Sequence, residues 1–175
     1  MRLKILYFAL ILFGITFAQA HAQIAATRKG EDKNSARVAR IMARALARCR
    51  SQVHGFSKIS WVPPTNDDVQ EIEAMGELAV VPLSRYVDSE RKDGFSELIA
   101  VRLLAAIGGQ IVEVPLRRAL ASDQWEVTRT TALDALSSIS KDRARPFVEA
   151  ALSDNSLSIR QRASELYRLY YSQAK

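Results

Sequence analysis

The sequence predicts an all-α protein: an α-solenoid of about three and a half helical hairpins, preceded by one N-terminal capping helix. Three observations carry that prediction. Apolar positions recur every 32 residues between 66 and 171, as in Ile72, Leu104 and Leu136. Within each period they fall at helical spacing, as in Ala132, Ala135, Leu136 and Ile139. Composition agrees: aromatic residues are 7% of the chain, glycines number seven and prolines five, which favours packed helices over a sandwich of strands.

The N-terminus reads as a targeting segment and not as fold. Arg2 and Lys4 precede an apolar run from Ile5 to Ala18, which ends in the small-residue sites Ala18-Gln19-Ala20 and Ala20-His21-Ala22. A bilayer-spanning helix takes roughly 20 apolar residues, so the run is short for an anchor. Residues 1–22 are therefore expected to be a cleaved signal peptide. The protein would then be exported, periplasmic or secreted, from a bacterium.

Charge is distributed unevenly. The chain carries +6 overall; residues 23–64 alone hold nine Lys/Arg against two acids, whereas residues 65–175 are net −3. The basicity is thus local. Together with export, this argues against a nucleic-acid partner.

Residues 23–64 are expected to form a basic helix and a connector. The helix is placed at Asn34–Arg50, with Asn34 or Ser35 at its start and the polar residues 23–33 ahead of it. Val38, Ile41, Met42, Ala45, Leu46 and Cys49 share its apolar face, and Arg37, Arg40, Arg44 and Arg48 cover the rest. Capping the open end of the array is the favoured role. Lying on an anionic membrane or holding an acidic partner are the competing ones. Residues 51–64 connect it to the array and carry Trp61 and Pro63-Pro64.

The array occupies residues 65–175. Thr65, with Asp68 three residues on, suits the cap of its first helix. That helix bears Asp67, Asp68, Glu71, Glu73 and Glu77, acids that complement the basic segment before it. Gly76 and Gly108-Gly109 end first helices, because glycine tolerates the positive φ found at a helix C-terminus. Pro82, Pro115 and Pro146 are each followed by Leu83, Leu116 or Phe147 and are expected in the first turn of the second helices. Asp123 and Asp154 suit the starts of the next helices, and Asp123 to Glu126 has the form of a capping box. Arg129 and Arg160 are expected to pair with such acids. Tyr167 and Tyr170 fall in core columns, and Tyr171 at the surface.

These columns carry a resemblance. Ala-Leu-x-x-Ile followed by Gly or Ser, then Val-Pro-Leu, then an acid and Arg-x-x-Ala (Arg129 to Ala132, Arg160 to Ala163) resembles a HEAT repeat of the bilin-lyase-like kind. Glu97 stands where the second unit should have Arg. The resemblance covers roughly residues 66–171 and implies a solenoid fold. It does not choose between scaffolds, bilin lyases and alkylpurine glycosylases.

Catalytic chemistry finds little support. His54 stands five residues after the single Cys49, a residue better read as a small buried hydrophobe than as a nucleophile. No phosphate loop, nucleophile elbow or metal-ligand spacing occurs, so no catalytic, cofactor or metal residues are expected. The expected function is a non-catalytic, exported scaffold that binds another protein. The alternatives are a lyase or glycosylase on the same scaffold, or membrane-surface binding through residues 34–50. Arg85, Arg117 and Arg118, just past the prolines of two second helices, are the candidate partner-binding residues. They imply an acidic protein partner.

Overall fold

The computed structural model describes residues 27–49, 62–88, 94–121 and 123–172. Residues 1–22, expected to be a signal peptide, and also His54 and Trp61 lie outside them. The described residues are helical with short turns and contain no strand. The backbone divides into two compact units, residues 1–37 and 38–175.

Helix α1 covers residues 27–49. It reaches further toward the N-terminus than expected, since residues 27–33 are helical and fully at the surface. Lys, Arg and Glu among them are good helix formers, which offsets the roughly 1 kcal/mol that Gly30 costs. Asn34 and Ser35 are therefore interior residues of the helix and not its cap.

In the larger unit, Val38, Ile41, Met42, Ala45 and Cys49 are buried, and Leu46 packs beside them. The apolar stripe of α1 is thus the inward face. Its arginines meet α2 (Asn66–Met75). Arg44 reaches Asp68 at 3.2 Å and Glu71 at 2.7 Å, and Arg48 also bonds Asp68. Asp68 also closes a capping box with Thr65 at the start of α2. One buried carboxylate therefore sets the helix start and ties it to α1.

The remaining helices are α3 (Val80–Val87), α4 (Gly94–Ile107), α5 (Glu113–Arg118), α6 (Glu126–Ile139), α7 (Lys141–Ala151) and α8 (Leu157–Tyr170). Contacts follow chain order. The first helices pack in succession, α2 on α4, α4 on α6 and α6 on α8. Each second helix, α3, α5 and α7, packs on the first helix that follows it. Ile72, Leu104 and Leu136, the 32-residue column, are all buried.

Turn chemistry explains how the hairpins differ. Gly76, Gly108 and Gly109 adopt positive φ. After them the chain makes a 3-10 turn, Gly76–Ala79 or Gln110–Val112, before α3 or α5 begins. Pro82 and Pro115 then stand in the first helical turn, as expected. The third hairpin departs from this. Ser140 replaces the glycine and caps α7 directly by accepting from the Arg143 amide. The helix starts earlier, and Pro146 falls inside it rather than in its first turn.

Two expected caps are also displaced. Trp125 occupies the N-cap of α6 without a side-chain bond, so Asp123 and Glu126 form no capping box across that start. Ser156, not Asp154, caps α8. In each case a turn separates the acid from the helix by two residues. Asp154 instead accepts from the Ser156 amide and pairs with Arg129.

That pair is mostly buried, at 11% and 15% side-chain exposure. Burial alone would raise the Asp154 carboxyl, but the Ser156 amide and the Arg129 guanidinium outweigh it and hold it below the ordinary carboxylate range. Arg160 donates to the main-chain carbonyls of Asp154 and Asn155 and not to a carboxylate. Tyr167 and Tyr170 are half-buried against a small cluster of Leu133, Val148, Ala163 and Leu166. Tyr171 is half-buried too, its hydroxyl donating to the Lys141 carbonyl at 2.5 Å.

Candidate functional site

The second helices present a repeated surface. Pro82 and Leu83 of α3, and Pro115 and Leu116 of α5, point into the core. The positions one before each proline and three after it are four residues apart and share one helix face, and in the first two hairpins the position four before it lies in the 3-10 turn that leads into the helix. In the first hairpin these are Leu78, Val81 and Arg85; in the second they are Ile111, Val114 and Arg118. The four apolar side chains are exposed, at 62%, 63%, 44% and 54%. The equivalent track of the third hairpin is charged: Asp142, Arg145 and Glu149, with Arg145 and Glu149 paired at 2.8 Å.

Scattered exposed apolar residues are ordinary on a protein surface. Here four of them occupy the same two columns of consecutive repeats, on helices that touch one another. Sequence reasoning read Val81 and Val114 only as parts of the Val-Pro-Leu motif. The signal that marks them is the break in the column, where Val81 and Val114 are followed by Arg145 and Leu78 and Ile111 by Asp142.

The three candidate arginines do not form one strip. Arg85 and Arg118 share a column at the ends of α3 and α5, whereas Arg117 lies in another and turns toward α7. All three are exposed. Arg118 pairs with Asp88 at 2.5 Å, and both partners are open to water. Arg117 pairs with Glu113 one turn back, and its guanidinium lies 4.8 Å above the centre of the Phe147 ring. Glu113 is nearly buried and accepts a second cation, Arg143, at 3.1 Å. Glu113 and Arg143 were not legible as a site in the sequence. They are 30 residues apart, and only the packing of α5 and α7 brings them together.

Cys49 is buried, with Sγ 3.5 Å from the Val62 carbonyl. Among the described residues no group of three His, Cys, Asp or Glu is placed to hold a metal, and no helix is long and apolar enough to cross a membrane. Trp125 is half-exposed and lies edge-on to Phe95 at 5.3 Å. It covers Gly94, where an added Cβ would collide with the indole. Between α6, α7 and α8 lies a cavity of about 170 Å³, walled by Leu120, Leu133, Phe147 and Ile159 and by the Arg129–Asp154 pair.

Comparison of the chain with protein families, with curated proteins and with solved structures finds no match.

Proposed function

We propose that this chain is an exported, HEAT-like repeat scaffold that binds another protein through the exposed face of its second helices. The observation that carries this reading is the pair of matched apolar tracks, Leu78 with Val81 and Ile111 with Val114. An apolar surface in repeat register on adjacent helices lowers solubility unless something covers it. Repeat arrays present their partner-binding surfaces in this way. The succession of first-helix contacts and the 32-residue columns support the solenoid reading, and the composition of residues 1–22 supports export.

The apolar face of residues 38–49 is buried in the core, and Arg44 and Arg48 are engaged with Asp68 and Glu71. A membrane-bound amphipathic helix needs that face in lipid. The second-helix face is therefore preferred over the basic helix as the binding surface.

Site-specific photo-crosslinking tests the reading. A benzophenone amino acid at Val81 or Val114, in cells that make the chain, should yield a discrete crosslinked protein species. The same group at Glu73, on α2, should not. Equal crosslinking from all three positions would overturn the reading.

A further inference from the structure

Arg117 and Arg143 form a fixed cationic pair. Glu113, at 9% side-chain exposure, accepts one guanidinium on Oε1 and the other on Oε2. Phe147 supports Arg117 from below. The arginine side chains themselves remain 44% and 51% exposed. An arginine carries five N–H donors in a rigid fork, and among the described residues each of these two directs one to Glu113. Two cations share one carboxylate, so the cluster keeps one positive charge that its own anchor does not neutralise. Val114 of the apolar track is one helical turn from Arg117 on α5, which puts the cations beside the apolar surface.

We propose that Arg117 and Arg143 receive a carboxylate from an acidic, apolar segment of the partner protein, and that Glu113 is the positioning residue that aligns them. This rests on the preceding reading of the second-helix face. A guanidinium pair held in place before binding loses less side-chain freedom on contact, and bidentate arginine matches carboxylate geometry. A polyanion is a poorer fit. Nucleic-acid affinity comes from many phosphate contacts, whereas Arg118 and Arg145 on the adjoining tracks are already paired with Asp88 and Glu149, so the surplus positive charge is local. An isolated carboxylate flanked by apolar side chains meets both features of the surface.

Selection of displayed random 12-residue peptides on the full chain supplies a probe even while the partner is unidentified. The recovered peptides should be enriched in Asp or Glu together with Leu, Ile, Val or Phe. The most enriched peptide, labelled with fluorescein, then reports affinity by anisotropy. Arg117→Gln with Arg143→Gln should raise its Kd roughly tenfold and flatten the salt dependence. Glu113→Gln discriminates further. It adds net positive charge, so charge alone would tighten binding, whereas loss of alignment should weaken it roughly three- to tenfold. If Glu113→Gln fails to fold, Arg117→Lys with Arg143→Lys keeps the charge, removes the fork and should weaken binding likewise.

Val81→Ser with Val114→Ser should abolish binding. If it does while the Arg→Gln pair leaves the Kd unchanged, the second-helix surface stands and the carboxylate assignment falls. If neither pair of changes affects the peptide, or none is enriched, both readings fall. Displacement by about 10 mM inorganic phosphate but not by acetate would move the site to phosphate and overturn the carboxylate assignment. Tighter binding by Glu113→Gln would overturn the positioning role.

Discussion

The first two hairpins and the final third of the chain solve the packing problem differently. From Val38 through Leu104 to Leu116 one large apolar core runs without interruption, and most of its aliphatic side chains are wholly buried. Around α7 and α8 the second cluster holds four buried residues among those described, with half-exposed Phe147 and tyrosines leaning on it. Ion pairs join helices at both cores, as Arg44 and Arg48 do with Asp68 beside the large one, and they are numerous beside the small one. Arg129 pairs with Asp154, and Arg162 bonds Asp134 at 2.6 Å and Glu165 at 2.7 Å. Those two carboxylates, Asp134 first, raise the Arg162 guanidinium above its already high ordinary value. Exposed apolar side chains occur over both cores, Leu78, Val81, Ile111 and Val114 on the first two hairpins and Leu157 and Leu169 on α8, but only the first four repeat in register.

Core truncation should expose the contrast most strongly. Leu104→Ala should cost about 4 kcal/mol, near the upper part of the range for emptying a fully buried leucine site. Leu166→Ala, in the small cluster, should cost about 2 kcal/mol. Urea denaturation measures both, and equal costs would erase the distinction between the two cores.

The ion pairs give a smaller, pH-dependent effect. The Asp154 carboxyl is held below its ordinary value of about 3.9. Its contribution is therefore present above that pH and is lost as pH falls through the lower, folded-state value. Asp154→Asn should cost about 1.5–3 kcal/mol at pH 7, as expected for hydrogen bonds to a charged group. The gap between variant and wild type should close as acid is added and the native carboxyl becomes neutral as well. A gap that stays constant as pH falls would mean that Asp154 acts by shape and not by charge.

The smallest effect is a gain. Thr128 of α6 is buried, and its hydroxyl makes no hydrogen bond among the described residues. Thr128→Val should raise stability by about 1 kcal/mol through removal of an unpaired buried polar group. Melting temperatures compared at equal concentration would show it, and a loss would mean that the hydroxyl is satisfied in solution.

Sequence alone determined the helices, their period and the inward faces. The α1 stripe, the 32-residue column and the Thr65–Asp68 capping box are local or periodic signals, and each is found where its spacing puts it. Burial follows from spacing, since any packing of these helices must hide the same stripe. The helix starts near Pro146, Trp125 and Ser156 depart from the local signals because cap choice depends on a few tenths to about 2 kcal/mol, which tertiary contacts override. The candidate site was only half legible. Arg117 was visible as a charge just beyond a proline, but its grip on Glu113, its seat over Phe147 and its partner Arg143 belong to the meeting of α5 with α7. Valines at 81 and 114 carry no mark of exposure in their own sequence, where an apolar residue beside Pro-Leu reads as core. Only the tertiary structure decided which side of each second helix was left facing water, because that choice depends on which face the neighbouring first helices cover.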